Sequence, residues 1–212
     1  MKMNTGIVAG VAMACVFAAD AKADLVAYWN FNTYDELTSG LSLASDQGAG
    51  TINLSTWTGT LDNFAGSTIN AIAPDVAGNS LSLVSSAGNG SFIEITFSMT
   101  GLSNPVISFA TRGTSTGFNS GTWSYSTGGG FTSVAGNTAT TSTTYALATL
   151  DLSAEDALDG AATVTLRYTL SGATSTTGNN RIDNLQINAV PAPGALAMLG
   201  LAGLTGARRR RR

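Results

Sequence analysis

The chain has 212 residues and a formal net charge of −3, but its charges are unevenly distributed. Residues 24–189 contain three arginines, Arg112, Arg167 and Arg181, against twelve acidic residues; this net charge of −9 gives no basic surface for nucleic-acid binding. The chain has no histidine and one cysteine, Cys15, which excludes histidine- or cysteine-based catalytic triads and zinc sites from this segment.

The first 23 residues have the pattern of a secretion signal. A positively charged start precedes an apolar stretch over residues 6–19, and Ala21 and Ala23 are the small residues before a predicted cleavage at Asp24. An uncleaved helical anchor and a lipoprotein signal that uses Cys15 are the alternatives. The sequence therefore predicts export, with a helical signal over residues 1–23 and one mature domain over residues 24–189.

The body between the ends alternates apolar and polar residues in short runs, which is the pattern of half-buried β-strands. In TVTLRYTL, the residues Val164, Leu166, Tyr168 and Leu170 are predicted to point inward. Ser91 to Met99 alternates in the same way, with Phe92 and Glu94 among the residues predicted to point outward. Ten strands are predicted, over residues 25–31, 51–57, 80–85, 91–99, 105–112, 121–127, 130–135, 145–152, 163–170 and 181–188.

Turn residues separate these runs. The glycines 128–130 predict a tight hairpin, and Ser153 is a candidate N-cap for the one short helical turn. About ten short strands of this kind pack as two antiparallel sheets. The predicted fold is all-β: a two-sheet antiparallel β-sandwich of the jelly-roll type.

Asp183 shares strand parity with Leu185 and is predicted to point toward the core. A buried carboxylate needs a partner, because leaving it ionised and alone costs several kcal/mol. Arg181 or an amide network is one solution. The other is a structural calcium ion shared with Asn30 and Asn32 of the first strand, since carboxylate and amide oxygens are ligands that calcium prefers.

Aromatic residues suggest a sugar-stacking surface. Trp123 and Tyr125 fall on one face of TWSYST, and Trp57 and Arg112 lie in similar surroundings rich in Gly, Ser and Thr. If exposed, these rings would stack on the apolar faces of sugars while the polar groups fix orientation. The alternative is that the rings fill the core.

Two further functions have weaker sequence support. Glu94 and Arg167 lie on the outward faces of two strands and could pair across the sheet, but no carboxylate pair typical of glycoside hydrolases is visible. The threonine-rich stretches 138–144 and 174–177 are too irregular for an ice-binding face.

The last 23 residues differ from the body. A proline-bracketed tripeptide is followed by an apolar segment, 194–207, which is shorter than the roughly 20 residues of a comfortable membrane span. Arginines at its end would stay on the cytoplasmic side. The residues of this pattern are Val190, Pro191, Ala192 and Pro193, then Arg208, Arg209, Arg210, Arg211 and Arg212.

This tail resembles the PEP-CTERM sorting signal, with Pro191-Ala192-Pro193 in place of Pro-Glu-Pro. The resemblance implies that residues 190–212 form a short apolar helix held transiently in the inner membrane and processed by an exosortase-type enzyme. The body resembles jelly-roll carbohydrate-binding and laminin-G-like modules, through residues 25–32 and 181–187.

Together these patterns predict an exported, non-enzymatic protein of the cell surface or extracellular matrix that associates with extracellular polysaccharide. A structural matrix component without a defined ligand is the alternative. No cofactor is expected apart from the calcium ion considered for Asp183.

Overall fold

The computed structural model describes residues 22–34, 37 and 40–192. Residues 1–21 of the predicted signal helix and the tail from Pro193 onward lie outside these residues. Within them the strands are β1 Asp24–Trp29, β2 Ser42–Ala44, β3 Gln47–Gly48, β4 Gly50–Asn53, β5 Thr60–Asp62, β6 Leu81–Val84, β7 Phe92–Phe97, β8 Leu102–Gly113, β9 Ser120–Ser126, β10 Thr132–Val134, β11 Ala146–Asp151, β12 Val164–Ser171 and β13 Asn179–Pro191.

The strands form two antiparallel sheets, which confirms the predicted β-sandwich. The seven-stranded sheet has the order β11-β8-β13-β1-β3, with β6 and β5 continuing from the other part of β13. The six-stranded sheet has the order β10-β9-β12-β7-β4-β2. From β6 to β9 and from β10 to β13 the chain crosses between the sheets at each step, a connectivity typical of jelly rolls.

The core lies between the two sheets and follows the predicted alternation. Val164, Leu166, Tyr168 and Leu170 of β12 are buried, and the neighbouring β7 buries its own alternate residues. Each of the ten predicted strands matches a strand of the structure. The missed strands, β2, β3 and β5, contain only two or three residues, too few to show a period.

The predicted helical turn is displaced. A 3-10 helix covers Asp156–Leu158, and Glu155 occupies its N-cap position without a side-chain cap. The prediction that Ser153 is the N-cap is therefore wrong. The backbone N–H of Ser153 instead donates to Oδ1 of Asp151, 2.9 Å away, which closes a local turn at the end of β11.

A long segment, residues 63–80, covers part of the outer face of the seven-stranded sheet; we call it the covering loop. Its Asn70 donates to the carbonyl oxygens of Ser108 and Asn184 on the two central strands. The hydroxyl of Tyr28 in β1 accepts from the backbone N–H of Ile72. This sheet therefore has one face against the core and part of the other under the loop.

The ends of the described body meet in the same sheet. Asp24, the predicted first mature residue, begins β1 and pairs with Ala189. Val190 and Pro191 still belong to β13, pairing with Ser103 and Leu102, so the strand runs past the predicted boundary at 189/190. None of the helices within residues 22–34, 37 and 40–192 is long and apolar enough to cross a membrane.

Candidate functional site

The tryptophans proposed to contact sugars lie in the core. Trp57 is 2% and Trp123 is 1% exposed. The ring of Trp123 stacks on Tyr168 with centroids 4.3 Å apart, and its Nε1 donates to Oγ1 of Thr138. Trp57 packs edge-on against Phe118. The expectation that these two rings are exposed is wrong, because large apolar rings contribute most when they fill the space between the sheets.

Tyr125 and Arg112 are not brought together with them on one surface. Tyr125 is also buried, and a hydrogen bond with Glu155 raises the pKa of its hydroxyl. Arg112 lies on β8, in the other sheet, where its guanidinium stands 5.6 Å from the ring centroid of Tyr145. The four predicted glycan-contact residues therefore do not form one platform.

Asp183 is fully buried, as predicted, but it does not point toward the core between the sheets. A bulge with Asn184 at φ 48° interrupts the alternation of β13, so that Ile182 and Leu185 both face the core. Asp183 pairs with Ala110 on the outer face and is enclosed by the covering loop. Its carboxylate accepts from the backbone N–H of Ser67 at 2.6 Å and of Asn184 at 2.9 Å.

These contacts are an amide network rather than an ion pair. Arg181 turns instead to the carbonyl of Ala65 and to Asn179, so the predicted Arg181–Asp183 pair is wrong. Burial raises the pKa of Asp183 to about 7, although its two backbone hydrogen bonds act in the opposite direction. Desolvation of the ionised form outweighs the two donors.

Asn30 and Asn32 hold loops at the end of β1. The side-chain oxygen of Asn30 accepts from the N–H of Asn32, and that of Asn32 accepts from the N–H of Asn79. The Nδ2 of Asn30 donates to Asp75. Across the described ranges no group of three or more His, Cys, Asp or Glu side chains is placed to hold a metal ion.

The outer face of the six-stranded sheet carries a different arrangement. Paired residues of the six strands form one row of polar side chains across the sheet, which we call the transverse row. At about 4.8 Å per strand it is about 24 Å long. Its members, in spatial order, are Ser133, Ser124, Arg167, Glu94, Asn53 and Ser42.

Arg167 is at the centre of this row and is held on three sides. Its guanidinium lies 3.9 Å from the ring centroid of Phe92 and 3.7 Å from that of Phe131. Its Nη2 donates to Oε1 of Glu94 at 2.8 Å, which confirms the predicted cross-strand pair. Phe131 is 37% exposed, so an aromatic ring and hydrogen-bonding groups meet at the surface.

Three residues of this surface were identified from the sequence. Phe92, Glu94 and Arg167 were predicted to point outward, because they alternate with buried residues. Phe131 was missed as a partner of Arg167, since it follows the glycine turn and its position depends on the register of the β9–β10 hairpin.

Such a surface suits neutral, hydroxyl-rich ligands. Serine hydroxyls and an asparagine amide can each donate and accept hydrogen bonds, and the flanking rings offer apolar area. The Arg167–Glu94 pair keeps the centre of the row free of net charge.

No protein-family model and no curated protein matches the chain. Among solved structures, a CBM22 tandem domain from Paenibacillus barcinonensis aligns with 82% of this chain at 15% identity and a TM-score of 0.49; the chain covers 48% of that protein. A carbohydrate-binding module of a Cellvibrio mixtus lichenase, in complex with cellotriose, aligns with 78% of this chain and 98% of its own at 10% identity and a TM-score of 0.36. The fold assignment rests on the strands and their pairing.

Proposed function

We propose that this protein is an exported, non-enzymatic β-sandwich that binds extracellular polysaccharide through the outer face of its six-stranded sheet. The observation that carries the proposal is the transverse row, with Arg167 fixed between the rings of Phe92 and Phe131. Saccharides are recognised by a few well-placed polar groups beside apolar ring area, and this face offers both.

The rigidity of the row supports the proposal. Arg167 is already held by two rings and a carboxylate, so little side-chain entropy is lost when a ligand binds. The row crosses six paired strands, whose backbone spacing fixes the separation of its polar groups. An elongated chain of sugars can therefore lie along it and contact several strands.

Delivery belongs to the same proposal. The N-terminal signal, cleaved between Ala23 and Asp24, directs export, and the segment from Val190 to Arg212 is processed by an exosortase-type enzyme after a transient stay in the inner membrane. Asp24 starts β1, so this cleavage leaves every described strand intact.

The test is binding of the mature domain to a glycan array, followed by titration with the best saccharide. Phe131→Ala is expected to weaken binding about two- to tenfold, because an aromatic stacking contact contributes roughly 0.5–1.5 kcal/mol. Leu147→Ala is the matched control: it also truncates an exposed apolar side chain, 56% exposed, but on the other sheet.

Thermal unfolding of both variants checks that the fold is retained. Unchanged affinity in Phe131→Ala would contradict the proposed surface. If the wild type shows no saturable binding to any saccharide, the alternative of a structural matrix component without a defined ligand is favoured.

A further inference from the structure

Two arginines lie side by side on the outer face of the seven-stranded sheet. Arg112 of β8 and Arg181 of β13 are direct cross-strand partners, so their side chains leave the same face of the sheet. Like charges placed directly opposite each other are destabilising in a sheet. An arrangement of this kind calls for a compensating interaction.

Within the described residues no carboxylate lies within salt-bridge distance of this pair. The ion pair found there joins Arg167 to Glu94 on the opposite sheet. Residues 24–189 contain three arginines and twelve acidic residues, so acidic partners are abundant in the sequence. Two of the three arginines nevertheless stand next to each other without an ion pair to any described carboxylate.

Both guanidiniums are held in position by neutral groups. Arg181 donates to the carbonyl of Ala65 at 3.1 Å and lies 4.7 Å from the ring centroid of Phe64. Arg112 lies over the ring of Tyr145, whose hydroxyl donates to the same carbonyl of Ala65 at 2.9 Å. A guanidinium has five N–H donors, so these contacts leave donors for a ligand.

We propose that Arg112 and Arg181 form a second binding site, which takes the anionic substituents of an acidic polysaccharide. This inference rests on the proposed glycan-binding function and adds the class of glycan. Carboxylate and sulfate groups match the planar donor geometry of guanidinium, and both occur on polysaccharides.

The acidic residues around the two arginines also affect the binding of an anionic polymer. The net charge of the body repels an anionic polymer, but beyond about 8 Å charges at the surface are largely screened at physiological ionic strength. Asp62 lies two strands from Arg181 in the same row, about 10 Å away, and Asp183 is enclosed by the covering loop. Among the described residues, the two arginines therefore make this part of the face locally cationic.

The experiment compares three polymers with one backbone: dextran, carboxymethyl-dextran and dextran sulfate, each immobilised for biolayer interferometry. The wild type is expected to bind one or both charged polymers at least tenfold more tightly than dextran. The Arg112→Gln/Arg181→Gln double variant is expected to lose this difference. A preference for one charged polymer over the other identifies the anionic group.

Two controls accompany it. Arg112→Gln alone keeps the contacts of Arg181 with the loop and should lose most of the preference for charged dextrans. It therefore tests the site even if the double variant unfolds. Ala154→Asp makes the same charge change as Arg→Gln at an exposed site near the other end of the sheet and should keep it. The inference is overturned if the wild type does not prefer charged dextrans, or if both Arg112 variants retain the preference. The array experiment with Phe131→Ala decides the proposed function separately.

Discussion

At the scale of single residues, Asp183 links burial to pH. Its pKa is raised to about 7 by burial, whereas an aspartate in the unfolded chain titrates near its ordinary pKa of 3.8. Between these two pH values the native state holds a proton that the unfolded state has released. The free energy of unfolding contributed by Asp183 is therefore greatest at low pH and is lost as the pH rises through about 7.

As the pH rises from about 4 to 7, we expect the titration of Asp183 to decrease the free energy of unfolding by roughly 2–4 kcal/mol. Denaturant unfolding across this range measures it. Asp183→Asn should flatten the pH dependence and, since one backbone N–H loses its acceptor, reduce stability by about 1–3 kcal/mol at low pH. Asp156→Asn, at an exposed position, controls for the change in net charge. Parallel pH profiles for wild type and Asp183→Asn would contradict this account.

The burial of Asp183 was predictable, but the way it is buried was not. A strand that alternates regularly would send Asp183 toward the core with Leu185. The bulge at Asn184 reverses the alternation, and the pattern of apolar and polar residues in the strand does not predict the bulge. The partners of Asp183 come from Ser67, far away in sequence, and such long-range contacts follow only from the assembled fold.

At the scale of elements, one side chain of β13 makes two of the hydrogen bonds that hold the covering loop. The Nδ2 of Asn184 donates to the carbonyls of Ser67 and Ile69, and its Oδ1 accepts from the hydroxyl of Tyr28. The first two hydrogen bonds join the loop to β13, and the third joins β13 to β1. The loop therefore opens at a lower free energy if this side chain is removed.

Asn184→Gly tests this dependence, because glycine accepts the positive φ while losing the side chain. Amide exchange at Ser67 and Ile72 is expected to accelerate by about tenfold or more, as each lost buried hydrogen bond costs roughly 1 kcal/mol or more. Asn104→Gly is the matched control, since Asn104 also has positive φ but lies exposed in β8. Unchanged exchange at Ser67 would show that other contacts hold the loop.

Strand prediction succeeded where the alternation was long enough to see. Ten strands were found because buried and exposed residues alternate over several positions, as in β7 and β12. The candidate surface was only partly predictable. The outward direction of Glu94 and Arg167 follows from the alternation within their own strands. The contact of Phe131 with Arg167 depends on the register of the β9–β10 hairpin, which the sequence does not show. The prediction of an exposed aromatic platform failed because the same sequence pattern fits tryptophans that pack in the core, where Trp123 and Trp57 lie.

At the scale of the whole molecule, the two outer faces differ. The seven-stranded sheet is partly enclosed by the covering loop and carries the adjacent arginines. In the described part of the chain, the transverse row of the six-stranded sheet is partly exposed, with Arg167 29% and Glu94 22% exposed, and these two charges balance at its centre. Together, the proposed function and the inferred arginine site give each face a separate part of a polysaccharide to recognise.

A structural calcium at Asp183, Asn30 and Asn32 remains a prediction of the sequence. Both oxygens of Asp183 accept backbone hydrogen bonds, and each asparagine oxygen accepts one. We therefore expect a chelator such as EDTA to leave the midpoint of thermal unfolding unchanged at pH 8. A midpoint several degrees lower in EDTA, restored by excess calcium, would show that the fold contains the ion.

The position of β13 affects the timing of folding. It is the last strand in sequence, yet it lies at the centre of its sheet, where it pairs with β8, β1 and β6. Those three strands lack their neighbour until residues 179–191 have left the ribosome. The seven-stranded sheet therefore cannot be completed until nearly the whole chain has been synthesised.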